Sequence, residues 1–331
     1  MFIRLLFIVP LLYLVNASSI DQFVNWVKRY DIRLLNESHF MDLFHTYSSN
    51  DEFIIDVNSR NLSYTLAHNQ FSGMDNIEFR NYLGLSNVRK SSRNRMVLEQ
   101  LETSIPSSIN WLDKNAVTPV KDQGQCGSCW SFSTTGALEG AYSIKYGNLL
   151  SFSEQQLVDC DNLRNDGHDH GCNGGLMDNA FTWIGKNNGL CLESAYPYVS
   201  GETTKSGTCQ TVCTKEKNSA ITNSIDVSPS SDDSMMSALS KQPVSVAIEA
   251  DQREFQLYES GVFTGTCGTN LDHGVLLIGY GSLSGEDYYI LKNSWGESWG
   301  DKGYILLGRG KEYNNGDGQC GVLLQGSYPV L

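Results

Sequence analysis

The sequence predicts an α+β fold in two halves, a helical one followed by a β-rich one with a cleft between them, and a separate helical segment in front. Three observations predict it. Residues 18–82 place Phe23, Trp26, Val27 and Tyr30 on one helical face. From Trp111 to about Ile221, helix-like runs alternate with loops. From Gln242 the chain turns to short apolar or alternating runs punctuated by glycine (PVSVAIEA, GVLLIGYG, YYILKNSW, GYILLGRG), which read as strands.

Taken in order, Met1–Ala17 has one basic residue, Arg4, then an apolar run from Leu5 to Val15 and a Val15-x-Ala17 cleavage pattern, and reads as a signal peptide. The run is shorter than the roughly 20 apolar residues a membrane span requires, and no later stretch qualifies. Ser86–Ser104 is polar, charged and aperiodic, and reads as an exposed linker open to cleavage. The run from Ser131 to Tyr146 predicts a helix. Its small residues Ser133, Gly136, Ala137, Gly140 and Ala141 would let it pack centrally, and Gly147 would stop it in the left-handed conformation. Ser153 predicts a helix cap, with Gln156 three residues on completing the box. Asp178–Lys186 predicts a helix ending near Asn187-Asn188-Gly189. Ser228–Ser234 reads as a surface loop.

Composition narrows the function. A formal charge of −13 over 331 residues excludes a nucleic-acid binder of the usual basic kind and leaves no basic run for a membrane surface. Nine cysteines, an odd count in a chain that begins like a secreted one, predict bridges plus at least one free thiol. Asn36-Glu-Ser38 and Asn61-Leu-Ser63 are glycan acceptor sequons. His168-Asp-His170, in a glycine-rich loop without other ligands nearby in sequence, reads as solvated rather than metal-binding.

The stretch around which the chain is organised is Gln123–Trp130, QGQCGSCW. Its C-x-x-C pair could be a redox dithiol, half of a zinc site, or the setting of a nucleophile. Zinc lacks a second pair of ligands, and the redox motif has its aromatic before the first Cys rather than after the second. At the first turn of a helix, free N–H groups and the macrodipole would favour a Cys129 thiolate.

CGSC followed by an aromatic is the sequence signature of papain and the cathepsins, and the segment resembles a papain-like cysteine protease. Three further stretches resemble the cathepsin-L-like subgroup. His39, Leu43, Tyr47, Asn50, Ile54 and Asn58 fall at the intervals of that subgroup's pro-region helix, with His39 and Leu43 where Glu and Arg are usual. Ala67, Asn69, Phe71 and Gly73 match a second pro-region pattern, with Ala for the usual Gly and Gly for the usual Asp. Ile105–Trp111 resembles a mature N-terminus, and from there the resemblance runs to Leu331. It implies a preproenzyme with a papain-like fold: signal peptide 1–17, inhibitory pro-region 18–85, linker 86–104 and peptidase domain 105–331.

By the same resemblance, Cys129 is the nucleophile, His273 the general base and acid, and Asn293 the residue that orients its ring, shielded by Trp295. Gln123 would stabilise the oxyanion with the Cys129 N–H. An unperturbed thiol titrates at about 8.5, whereas papain's own cysteine, the reference case, sits near about 3 to 4 because an imidazolium and a helix terminus face it. Gly174 and Gly175 would allow strand-like pairing with an extended substrate. Leu176, Met177, Ala247, Leu271, Gly274 and Gln325 would line an apolar pocket for the side chain two residues before the cut. The family's bridges map onto Cys126–Cys172, Cys160–Cys209 and Cys267–Cys320. Cys191 and Cys213 remain for a fourth, with an exchange of partners with Cys209 left open. The resemblance implies polypeptide substrates, inhibition by the chain's own pro-region and by cystatin-type inhibitors, a monomer, no cofactor and no metal. It also implies a secretory route to lysosome, acidic vacuole or medium. The insertion that carries the cathepsin B His pair is missing, so endopeptidase activity is expected. The competing readings are a catalytically idle binding or storage protein and a disulfide oxidoreductase with a reversible Cys126–Cys129 bond.

Overall fold

The computed structural model describes residues 17–85, 96–97, 104–211 and 213–331. The signal-peptide reading therefore falls almost wholly outside the described residues, as does most of the 86–104 segment.

The N-terminal region opens with helices α1 (Ala17–Arg29) and α2 (Glu37–Ser59). They cross on an aromatic cluster in which Phe23, Trp26 and Tyr47 are buried, the one-face spacing expected of α1. Asn36 caps α2 by accepting the His39 N–H. Strand β1 (Tyr64–Leu66) and helix α3 (Asn76–Tyr82) follow, α3 opened by a full capping box between Asp75 and Glu78.

Leu43 and Gly73, two of the departures from the pro-region pattern, meet in space. A Cβ at Gly73 would stand 2.8 Å from Leu43 Cδ2 and 2.7 Å from Trp26 Cη2. No aspartate fits at position 73 unless the indole moves. The positions that usually carry Arg and Asp are instead filled together by an apolar contact.

The segment 86–104 is not linker throughout. Met96–Val97 form β2 and pair in parallel with Ile225 and Asp226. Strand β3 (Ile109–Asn110) leads into the helical half, built of α4 (Cys129–Tyr146), α5 (Glu154–Cys160), α6 (Met177–Lys186) and the short α7 (Ser200–Thr203). Helix α4 is buried from Cys129 to Ser143 and ends at Gly147, whose φ of 77° is left-handed. Its small residues do what their pattern predicts. A Cβ would lie 2.8 Å from Leu276 if placed on Gly136 and 2.7 Å from Pro243 if placed on Gly140, so these glycines set the helix-to-sheet distance. Ser153 caps α5 through the Gln156 N–H, but the box is not closed. Gln156 Oε1 accepts instead from Cys191 N, and Ser153 N donates to Cys191 O.

The second half contains β4 (Asn223–Asp226), α8 (Asp232–Leu239), β5 (Val244–Ile248), α9 (Arg253–Gln256), β6 (Tyr258–Phe263), β7 (His273–Leu283), β8 (Glu286–Lys292), β9 (Tyr304–Gly308) and β10 (Gly326–Val330). The strands pair in the order β1-β6-β9-β8-β7-β5-β10-β4-β2, with β3 on β7. The path is open, and antiparallel except at β6–β9 and β2–β4. Strand β7 is buried from His273 to Gly281, which is why its sequence is an unbroken apolar run rather than an alternation. The Ser228–Ser234 loop reading is corrected. Ser231 caps α8 by accepting from Ser234 N, Asp232 and Asp233 lie in the first turn where the macrodipole favours them, and Ser234 is buried.

Four disulfides join Cys126–Cys172, Cys160–Cys209, Cys191–Cys213 and Cys267–Cys320. Cys209 keeps Cys160, so the pair left over, Cys191 and Cys213, is a bridge of its own.

A buried ionic cluster ties the two halves together. Lys121 Nζ bonds Glu139 at 2.9 Å and Glu154 at 2.6 Å, and Lys292 from β8 reaches Thr118 Oγ1 at 2.9 Å. Thr118 in turn donates to Glu139 at 2.6 Å.

Candidate active site

Cys129 is the first residue of α4 and, among the described residues, the only cysteine outside a bridge. Its sulfur accepts the Gly274 N–H at 3.3 Å, which brings the start of α4 against the start of β7. His273, the residue before Gly274, donates or accepts through Nε2 at 2.8 Å with Asn293 Oδ1. As a side-chain carbonyl only accepts, the ring proton sits on Nε2, and Nδ1 is buried with no hydrogen-bond partner among the described residues. Trp295, fully buried, stacks on the imidazole with centroids 4.6 Å apart.

Gln123 is fully buried, its Oε1 held by Ser294 Oγ at 2.8 Å. Its Nε2 donates to Cys126 O at 3.0 Å and faces the carbonyl of Tyr82 at 3.4 Å. The side chain assigned to an oxyanion thus points at a backbone oxygen of the N-terminal region.

That region fills the cleft. Gly84 donates its N–H to the Cys129 sulfur, and a Cβ on it would fall 2.3 Å from the Gly127 carbonyl, so only glycine passes here. Leu85 N donates to Asp272 O at 3.0 Å. The segment is anchored upstream by reciprocal amide bonds: Asn69 Nδ2 to Gln256 O at 2.8 Å, and Gln256 Nε2 to Phe71 O at 2.9 Å. Phe71 and Phe79 pack edge-on against Trp295, and Tyr64–Leu66 pair with β6.

This covering changes the charge state expected of the site. Burial pushes the Cys129 thiol up to about 11, although the N–H groups of Gly274, Gly84 and Trp130 pull the other way. Burial pushes His273 down to about 4, with the Asn293 bond opposing. Thiol and imidazole are therefore both neutral near pH 7, and the thiolate–imidazolium pair expected from sequence is absent from this covered state. Asp272, beside His273, is raised to about 7 by burial.

Of the residues assigned to the pocket, Met177 and Ala247 lie against Gly274. A Cβ there would lie 3.1 Å from Met177 Sδ and 3.2 Å from Leu85 Cδ1, while Ala247 pairs with Gly274 across β5 and β7. Gln325 O accepts from Ala247 N, and Leu176 precedes α6 at its N-cap. Leu271 lies against Gly321, where a Cβ would stand 2.9 Å from its Cδ2. Gly174 has a φ of 107°, but Gly175 serves a packing need: a Cβ would lie 2.5 Å from the Trp130 indole. The reading of His168-Asp-His170 as solvated is corrected at its centre. The two histidines are exposed, but Asp169 is buried and accepts from Leu176 N and Asn179 Nδ2, both at 3.0 Å. Burial, then the neighbouring Asp161, hold its carboxyl well above the usual range. Among the described residues, no group of His, Cys, Asp and Glu is arranged to hold a metal ion.

Sequence reasoning missed Ser294, Asp272 and Tyr198. Ser294 is adjacent to Asn293, but nothing in its sequence context points to a bond across 171 positions to Gln123.

Comparison with known proteins places the chain in a family. Residues 105–330 match the family described as papain family cysteine protease, and residues 23–79 match the cathepsin propeptide inhibitor domain (I29). Cysteine proteinase RD21A of Arabidopsis thaliana is 44% identical over 87% of this chain, which spans 61% of that relative's length. Cysteine protease XCP2 of Arabidopsis thaliana is 42% identical, with 95% of this chain and 87% of the relative covered. Among solved structures, the proform of the Amb a 11 cysteine protease, a ragweed pollen allergen, superposes with a TM-score of 0.84 at 36% identity, covering 96% of each chain. The chain belongs to the papain family of cysteine proteases and carries that family's propeptide inhibitor domain ahead of its peptidase domain.

Proposed function

We propose that this chain is the zymogen of a cysteine endopeptidase, with Cys129 as nucleophile, His273 as general base and acid, Asn293 as its orienting partner and Gln123 as oxyanion donor. The observation that carries the reading is the Cys129 sulfur, unbridged at the N-terminus of α4, bonded to the residue that follows a histidine whose outer nitrogen is tied to Asn293. The nitrogen left over, Nδ1, is the one free to exchange a proton with sulfur.

Once the 82–85 segment leaves, water returns and the burial that keeps the pair neutral is relieved. The thiol proton passes to His273, and the thiolate attacks the peptide carbonyl. The carbonyl oxygen, now an anion, is stabilised by Gln123 Nε2 and the Cys129 N–H; losing one such donor typically costs about 3 kcal/mol of barrier. The imidazolium protonates the leaving amine as the C–N bond breaks. Water, deprotonated by His273, then hydrolyses the thioester and restores the thiol. Sulfur and imidazole suffice, and no cofactor enters.

The remaining expectations belong to this reading: removal of 1–17 on secretion, inhibition by 18–85, cleavage within 86–104, and a monomeric peptidase of 105–331. Polypeptides are its substrates and cystatin-type proteins its inhibitors, in a lysosome, acidic vacuole or the medium. Asn36 and Asn61, both exposed, are its glycan acceptors. An apolar residue is preferred two positions before the cut, since Leu85 of the pro-region already rests against Gly274 beside Met177. A cleavage profile dominated by Arg there would contradict it.

An idle binding protein fits less well, because it has no use for an oriented His273. An oxidoreductase needs a Cys126–Cys129 bond, and Cys126 is held by Cys172. The deciding test is titration of the matured protein with a thiol-alkylating epoxide inhibitor, followed by peptide mapping. Stoichiometric label on Cys129 with loss of peptidase activity is expected; label elsewhere, or activity surviving a labelled Cys129, would refute the proposal.

A further inference from the structure

Tyr198 is a half-buried residue from the loop before α7, and its hydroxyl lies between the two ends of the Gln123–Ser128 loop. Its Oη donates to Gln123 O at 2.7 Å and stands 2.7 Å from Ser128 Oγ. Since the Gln123 carbonyl can only accept, the phenol proton goes there, and Ser128 directs its one proton to the phenol oxygen at 2.7 Å over the Cys126 carbonyl at 3.3 Å. Gln123 and Ser128 are both fully buried. Ser128 directly precedes Cys129, and its side chain does not cap α4. The tyrosine is itself fixed: its N–H donates to Glu193 Oε1 at 2.7 Å, and its ring packs edge-on against Phe132 of α4 at 4.9 Å. A few residues on, Gly201 O accepts from Gln125 N at 2.9 Å, so the same segment clamps the loop twice.

We infer that Tyr198 is a positioning residue for the oxyanion site, one oxygen atom setting the distance between the residue that supplies the side-chain donor and the residue whose N–H is the other donor. This rests on the assignment of Gln123 above. The two donors belong to different backbone segments, the 123 turn and the start of α4, joined by a loop whose middle is fixed by the Cys126–Cys172 bridge and whose two ends meet at the Tyr198 hydroxyl. Two donors act together on one developing charge only if their spacing is held to a fraction of an ångström. Ser294 fixes the amide at its far end, and Tyr198 fixes the main chain that carries it.

The test is a double-mutant cycle on the matured enzyme, with every rate normalised to sites titrated by the epoxide inhibitor. Tyr198→Phe is expected to lower kcat by about fivefold to twentyfold at unchanged KM, because the lost contact is felt only when the oxyanion forms. In a Gln123→Ala background the same change is expected to lower kcat less than twofold. Tyr196→Phe, which removes a hydroxyl bonded to Asp159 on the same segment, should leave kcat unchanged. Should the Tyr198→Phe zymogen fail to mature, Ser128→Ala cuts one of the two bonds without touching the ring and takes its place in the cycle. An equal loss in both backgrounds, or no loss in kcat per titrated site, would reduce Tyr198 to a structural role and overturn the inference. No effect of Gln123→Ala by itself would overturn the Gln123 assignment instead.

Discussion

The Leu85 N–H donates to the Asp272 carbonyl at 3.0 Å, one residue ahead of His273, so the last described residue of the N-terminal region is fastened to the strand that presents the imidazole. Inhibition and neutral charge state have one cause here, the exclusion of water from Cys129.

The narrowest point of that seal is Gly84. Replacing it with valine forces side-chain atoms into the Gly127 backbone, and overpacking of this kind costs about 1 to 3 kcal/mol, or about fivefold to hundredfold in the open population. Alkylation of Cys129 in the uncut Gly84→Val protein should accelerate accordingly. Alkylation of the uncut parent protein at neutral pH should be far slower than that of the matured protein, because burial holds the covered thiol up to about 11. Equal rates would contradict the neutral, covered pair.

Acid should loosen the N-terminal region through His68. Its ring stacks on Tyr47 with centroids 3.9 Å apart, Nε2 lies 3.1 Å from Asp51 Oδ1, and Nδ1 is buried without an acceptor. Burial lowers its pKa, and the Asp51 bond opposes without prevailing. A histidine depressed in the folded state contributes its full stability above the ordinary value of about 6.5 and loses it as pH falls toward the folded value. The thermal stability of the uncut protein should fall as pH drops below about 6.5, and His68→Gln, which keeps a donor for Asp51 but does not titrate, should reduce that slope, leaving the share that belongs to His273. An unchanged slope would assign the acid response elsewhere.

Lys121→Met should be among the most damaging single changes outside the cleft. It leaves Glu139 and Glu154 buried without their cation, a loss of about 3 to 5 kcal/mol. Burial raises the Glu139 pKa, but Lys121 and Lys292 override it and the net shift is downward, so the cluster stabilises above about pH 4.3 and fades as pH falls further. The variant's deficit, read by denaturant titration, should therefore shrink in acid.

Cys191→Ser with Cys213→Ser removes a cross-link over a sequence separation of 22. The expected destabilisation is about 3 kcal/mol in urea titration. Non-reducing peptide mapping of the parent should return the two cysteines as one linked pair.

Much of this was legible because local chemistry and tertiary demand agree. The small residues of α4, the Gly147 stop and the apolar run of β7 each carry a signature that packing then uses. Helix α8 was hidden because its capping serine and acidic first turn sit in a serine-rich stretch that reads equally well as loop. Asp169 was misjudged because its flanking histidines are exposed, and no local pattern reveals that the residue between them turns inward to hold Leu176 and Asn179. Tyr198 and Ser294 act on Gln123 from 75 and 171 positions away, distances at which a single sequence carries no trace of contact. The neutral Cys129–His273 pair was missed for a different reason. The helix terminus and imidazole argue for charge, and only the covering by Gly84 and Leu85 reverses the outcome.

Strand β1 lies at one end of the sheet, and it belongs to the part that inhibits. When that part departs, the rim of β6 from Tyr258 to Gly261 is stripped of its partner, and a row of backbone donors and acceptors turns to water. Glu259, exposed on that rim, supplies a charge that discourages neighbouring chains from adding themselves there. Freeing the thiol and baring a sheet margin are thus a single event.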